Sequence, residues 1–229
     1  GRMNDDTTEG EQAYVAGFAC LVGRPNAGKS TLTNALVGTK VAITSSKPQT
    51  TRHTIRGIVS GEHSQLILVD TPGLHKPRTL LGQRLNDLVR ATWTEVDVIG
   101  FCLAANEETG PGDRKLAAEL ASIQRGPIIA VITKTDTASP DEVAARLASI
   151  SELAAEVGLK VSEYVPVSAV TGGNVDVLVD LMIAQMPEGP QLFPEAQDTD
   201  EPEEAMCAEL IREAARADGV EGLPHPIAV

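Results

Sequence analysis

Gly23-Arg24-Pro25-Asn26-Ala27-Gly28-Lys29-Ser30 has the spacing G-x-x-x-x-G-K-S, between an apolar run at 15–22 and a helix-like stretch that starts at Thr31. A phosphate-binding loop needs that order of strand, loop and helix. A triphosphate carries several negative charges, and backbone amides can meet most of them. Gly23 and Gly28 let the chain curl so that amide hydrogens point inward, and the following helix turns its positive end to the same phosphates. Lys29 is expected to reach the β and γ phosphates, and the Ser30 hydroxyl to ligate magnesium. A glycine-rich turn before a helix would explain Gly23 and Gly28 but not Lys-Ser.

Four further stretches suit a nucleotide site. Asp70-Thr71-Pro72-Gly73 follows a strand; its acid can hold magnesium through water, and the Gly73 amide can meet a γ phosphate. Thr50-Thr51 lies in a long polar loop, where a hydroxyl, Thr51 in this reading, can complete the metal shell. In Thr133-Lys134-Thr135-Asp136 the carboxylate can accept two hydrogen bonds from the N1 and N2 edge of guanine, a donor pattern adenine lacks. Ser168-Ala169 can close over the base with backbone amides. Each has a plainer explanation, since Asp-Thr-Pro-Gly is a common turn and Lys-x-x-Asp can be a strand exit. Their order at successive strand ends argues for one site.

The elements that hold these loops follow from periodicity. Strands are expected at 14–23, 54–61, 64–70, 96–103, 127–133 and 161–167, the second and third joined by a hairpin at Gly61-Glu62-His63. Helices are expected at 29–37, 80–94, 113–122, 140–157 and 175–186, with Gly38 and Gly158 as stops. Alternation of this kind specifies an α/β fold: a doubly wound, mostly parallel six-stranded sheet, helices on both faces, ligands at the carboxyl strand ends. Pro187, Pro190, Pro194 and Pro202 among acids read as a linker, and an amphipathic helix at 203–218 with a strand-like 223–229 reads as a second domain cut short. The division expected is a disordered tail at 1–12, a nucleotide-binding domain at 13–187, a linker at 188–202 and an incomplete fragment at 203–229. Gly1-Arg2 before Met3 reads as residues added for expression.

Bulk properties bound the function. A chain of 229 residues with 42% hydrophobic and 22% charged residues can bury one full core. No apolar run approaches the ~20 residues of a membrane span, and the acidic beginning is unlike a signal peptide, so the chain reads as soluble and intracellular. A net charge of −13 argues against the whole chain binding nucleic acid. The basic residues Lys47, Arg52, His53, Arg56, Lys76 and Arg78 instead gather near the presumed phosphate site. Cys20, Cys102 and Cys207 have no metal-like spacing; Cys20 and Cys102 read as buried thiols.

The phosphate loop, Gln49-Thr50-Thr51-Arg52-His53 and Asp70-Thr71-Pro72-Gly73-Leu74-His75 together resemble the Era family of bacterial GTPases, from about Val15 to the end of the chain. The resemblance implies a GTPase G domain followed by a KH domain that binds the 3′ region of 16S ribosomal RNA during assembly of the 30S subunit. It also implies a cytoplasmic protein, with peripheral association at the inner face of the cell membrane, acting as a monomer. The C-terminal helix and strand resemble the opening of the KH domain. The segment is read as lacking the Gly-x-x-Gly loop that clamps RNA, so RNA binding is expected of the full-length relatives rather than of this chain. Thr133 departs from the family, which usually has Asn there, contacting both base and loop; guanine choice should survive through Asp136, with lower affinity.

For GTP hydrolysis Lys29, the loop amides and magnesium cancel charge, Thr51 and Gly73 sense the γ phosphate, and Asn26 is a candidate ligand for a potassium ion beside the phosphates. Leu74 stands where many GTPases place a water-orienting Gln, so intrinsic turnover should be slow. Residues 39–53 and 73–79 should act as switches. Two other readings stay open at this point: a P-loop ATPase or small-molecule kinase, and an RNA-binding module that holds nucleotide without turning it over.

Overall fold

The computed structural model describes residues 12–38, 54–70 and 80–194. At its centre is β1 (Val15–Val22), between β3 (Ser64–Val69) and β4 (Val98–Ala104) and parallel to both. Beyond β4 lie β5 (Ile128–Thr133) and β6 (Val161–Pro166), also parallel, and beyond β3 lies β2 (Ile55–Ser60), antiparallel at the edge. The strand order is therefore β2-β3-β1-β4-β5-β6, six strands and mostly parallel, as the alternation predicts.

β3, β4 and β5 are buried along their whole length, which is why they read as unbroken apolar runs. One face packs against α1 (Lys29–Gly38) and α5 (Val175–Ile183) through Leu32, Leu36, Leu178 and Met182. The other packs against α2 (Leu80–Glu95), α3 (Pro111–Ile123) and α4 (Pro140–Val157) through Val89, Trp93, Leu116, Leu120, Ile150 and Leu153. Local chemistry sets the helix ends. Ser139 and Glu142 form a reciprocal capping box at the start of α4, and Gly158, at φ 75°, stops it. Pro111 starts α3 two residues before the expected 113.

Two differences matter. α5 ends at Ile183, three residues short of the expected 186, though Met186 is still buried. More consequential, the stretch read as linker from 188 begins inside this domain. Ala16 N–H donates to Pro187 O at 3.2 Å, Gly189 N–H donates to Tyr14 O at 3.0 Å, and Glu188 bridges to Val15. Phe193 is then 5% exposed in the α2–α4 core. Gln65 on β3, fully buried, accepts from Leu192 and Phe193 N–H at 3.0 Å each and donates to Phe193 O at 2.5 Å. The prolines signal an irregular path but not the clamp that awaits it. The expected tail 1–12, apart from residue 12, and the fragment 203–229 lie outside the described residues.

Among the described residues no helix is long and apolar enough to cross a membrane.

Candidate nucleotide site

The loop after β1 sits where the strand order reverses, with β3 on one side and β4 on the other, the place where an α/β sheet opens a crevice. Gly23 is required by close approach: a Cβ there would lie 2.6 Å from Cys102 O on β4. Asn26 and Gly28 both have positive φ, 70° and 82°, so the chain curls as the glycine spacing suggests. Ala27 N–H donates to Arg24 O at 3.1 Å and Leu32 N–H to Gly28 O at 2.9 Å, closing the turn into α1. Lys29 Nζ lies back across the loop and donates to Gly23 O at 2.6 Å. Burial lowers the pKa of Lys29, and the nearby Asp70 opposes that shift.

Beneath the loop, Cys20 and Cys102 are buried and free. Desolvation pushes the Cys102 thiol up to about 12, so it stays neutral and unreactive. The buried-thiol expectation holds for both.

A cleft of about 540 Å³ opens over the loop, lined by Pro25, Asn26, Gly28, Lys29, Ser30 and Thr31, with Asp70 and Arg56 across from them. Ser30 and Asp70 are thus brought to one cavity, and a hydroxyl with one carboxylate suits magnesium, which keeps waters and phosphate oxygens as its other ligands. Among the described residues no group of three or more His, Cys, Asp or Glu could hold a metal. Arg24 does not reach the cleft in this arrangement: its guanidinium lies against Gly112, where a Cβ would sit 2.5 Å from Nε. Arg24 serves the loop through its carbonyl.

Sequence reading missed the partner of Asp70. β2 pairs Ile55 with Val69 and Gly57 with Leu68, so Arg56 is an extra residue in the ladder. That bulge accompanies an ion pair of Arg56 with Asp70 at 2.6 Å. The cluster of basic residues was a signal for Arg56; the bulge that couples it to Asp70 was not readable.

The Thr133-Lys134-Thr135-Asp136 stretch is wired to the phosphate loop from the other side. Thr133 Oγ1 donates to Ala27 O at 2.6 Å, and Lys134 Nζ donates to Asn26 O at 2.6 Å. Lys134 takes φ 58°, and Thr135 N–H donates to Val167 O at 3.2 Å, so the turn is pinned to the residue that follows β6. Ser168 Oγ donates to Asp136 Oδ1 at 2.8 Å and accepts from Thr171 N–H at 3.1 Å. Ala169 lies beside them. A second cavity of about 180 Å³ joins Gly28, Thr133, Lys134, Asp136, Val167 and Ala169. Val167, Val170 and Thr137 also line it and were not singled out from sequence. Thr51, Thr71, Pro72, Gly73 and Leu74 lie outside the described residues, as do both expected switches, 39–53 and 73–79.

Residues 18–134 match the family described as 50S ribosome-binding GTPase. The chain is 61% identical over 228 residues to GTPase Era of Streptomyces coelicolor, covering 100% of this chain and 72% of that protein. It is 59% identical over 218 residues to GTPase Era of Mycobacterium leprae, covering 94% of this chain and 71% of that one. The chain belongs to the Era family of GTPases. A crystal structure of Era in complex with MgGDPNP and nucleotides 1506–1542 of 16S ribosomal RNA superposes with a TM-score of 0.65 at 37% identity, over 82% of this chain and 63% of that chain. The fold and the GTPase expectation therefore both hold, and the ATPase or kinase reading falls away. The two cavities share Gly28, Thr31 and Lys134 in their linings.

Proposed function

We propose that this GTPase holds magnesium and GTP with its phosphates over residues 23–31, the metal on Ser30, Asp70 and Thr51, and the base between Lys134, Asp136, Ser168 and Ala169. The observation that carries the reading is the pair of ties from Thr133 and Lys134 into the phosphate loop, which set the base cavity and the phosphate cleft in one frame. Lys29 would leave Gly23 O for the β and γ phosphates. Bound magnesium would neutralise charge developing on the phosphates. Thr71, Pro72, Gly73 and Leu74 would complete the γ-phosphate side, and with Leu74 rather than Gln the intrinsic rate is slow.

Isothermal titration separates this from the competing readings. GDP should bind at least ~100-fold tighter than ADP, since a carboxylate facing an adenine N1 loses both hydrogen bonds that the N1 and N2 edge of guanine would give it; equal affinities overturn the guanine reading. Turnover of GTP in the presence of small ribosomal subunits excludes a nucleotide held only as a structural plug.

The wider proposal is that the protein acts as a nucleotide switch in 16S ribosomal RNA processing and 30S assembly, as a monomer. It is supported by the relative solved with 16S ribosomal RNA, in which this chain spans 63% of the polypeptide. The charge of −13 weighs against adhesion to an anionic membrane. One correction applies to the C-terminal fragment. Gly219-Val220-Glu221-Gly222 does have Gly-x-x-Gly spacing, with an acid inside it, and lies outside the described residues.

Potassium is the finer element. Asn26 lines the cleft with its carbonyl held by Lys134, leaving the side chain for a monovalent ion beside the phosphates. Hydrolysis should be faster in potassium than in sodium chloride at equal ionic strength; equal rates remove the ion from the proposal.

A further inference from the structure

We propose that this chain recognises guanine without reading N7 of the purine, and that Thr133 is the residue responsible. The inference rests on the guanine site proposed above. Thr133 closes β5 at 3% exposure, and its hydroxyl has one proton to give. That proton goes to Ala27 O at 2.6 Å. The contact cannot run the other way, because a carbonyl only accepts. Turning the hydroxyl toward a ligand would strip a donor from the carbonyl of a residue that is 5% exposed, and a stripped buried acceptor is costly.

The base's orientation follows from Asp136, whose carboxylate is steadied by the Ser168 hydroxyl. With N1–H and the N2 amine on that carboxylate, the imidazole edge of the purine turns away from Asp136, toward the Gly28 and Thr133 end of the cavity. N7 is an acceptor and needs a proton there. Of the side-chain donors near it, the Thr137 hydroxyl gives its one proton to Lys134 O at 2.6 Å, and the Lys134 ammonium, which has three, is drawn to Asn26 O at 2.6 Å on the phosphate-loop side. Thr31 sits in the first turn of α1 and lines the phosphate cleft as well. The loop tie is kept and the N7 contact is given up, so Thr133 is a specificity-setting position.

The test is titration of the full chain, with magnesium, by GDP, 7-deaza-GDP and ADP. In 7-deaza-GDP a C–H replaces N7. The wild-type chain should bind GDP and 7-deaza-GDP within about twofold of each other, and Thr133→Ser, which keeps the hydroxyl, should do the same. Thr133→Asn has two amide protons, one for Ala27 O and one for N7, and should favour GDP over 7-deaza-GDP by about three- to tenfold, the worth of one neutral hydrogen bond. A wild-type preference of that size for GDP overturns the proposal. A ratio of one in folded Thr133→Asn overturns the assignment to Thr133. If GDP binds no tighter than ADP, the guanine site itself is wrong, a result distinct from both. Should Thr133→Asn fail to fold, the wild-type and Thr133→Ser ratios still decide.

Discussion

At the carboxyl ends of β1, β5 and β6 the loops are tied to one another by short bonds between side chains and backbone, from Thr133 and Lys134 to the phosphate loop and from Ser168 to Asp136. At the amino ends of β1 and β3 the ties are partly or fully buried and the packing is tight. Phe18 N–H donates to Asp97 Oδ2 at 2.8 Å, Gln65 clamps residues 192 and 193, and a Cβ on Gly17 would lie 2.4 Å from Met186 Sδ. One end keeps cavities open with a minimum of polar struts; the other is closed. The contrast teaches that this sheet separates where it binds from where it is held together, so substitutions at the two ends should read out in different measurements.

The largest effect expected is from Phe193→Ala, which removes a buried aromatic at the closed end. It should cost about 3–5 kcal/mol of unfolding free energy while leaving the GDP dissociation constant of the folded protein within about twofold. A large loss of GDP affinity at full folding would break the separation. Gln65→Leu comes next: it strands two N–H groups and a carbonyl of the clamped segment and should cost about 2–3 kcal/mol by chemical denaturation, again without weakening nucleotide. At the open end, Lys29→Ala should lower nucleotide affinity by about 10- to 100-fold, the worth of charge-assisted hydrogen bonds, with a melting temperature close to wild type.

Asp97 sharpens the comparison through pH. Burial raises its pKa above the usual carboxylate value, against the Phe18 hydrogen bond that lowers it. The folded state then binds that proton more tightly than the unfolded chain, so its contribution to stability declines as pH rises from the ordinary value through the raised one. In Asp97→Asn that decline should vanish from the stability profile, with nucleotide binding unchanged. The smallest effect is at Arg56, which pairs with Asp70 on exposed surface. Arg56→Ala frees the carboxylate and should reduce the magnesium needed for half-maximal GTP hydrolysis by about two- to fourfold, in keeping with an exposed ion pair worth under ~1 kcal/mol; a rise would show that Arg56 assists the metal site.

How much could be read beforehand divides along the same line. The phosphate loop was legible because Gly23, Gly28, Lys29 and Ser30 are needed at fixed spacing by a charged ligand, whatever surrounds them. Asp136 and Ser168 were legible because parallel strands deliver their following loops to one edge. The Arg56 bulge was not, since one extra residue in an apolar alternation leaves no distinct pattern. Gln65 looked like an ordinary polar residue of a strand, and its burial depends on a segment more than a hundred residues later. Residues 188–193 read as linker because prolines and acids report local stiffness and solubility, not what Phe193 meets.

From sequence alone came the GTPase family, the doubly wound order of elements, and the motifs that line the two cavities, because those depend on short-range periodicity and on fixed residue spacing. Tertiary structure decided that the Thr133 proton belongs to Ala27, that Arg24 turns to α3, that Asp70 has Arg56 beside it, and that Gln65 holds the chain's exit. Each of those is a choice of partner among groups distant in sequence. A side chain's hydrogen-bonding capacity is written in its type, but where that capacity is spent depends on which carbonyl or carboxylate the packed sheet brings within 3 Å of it.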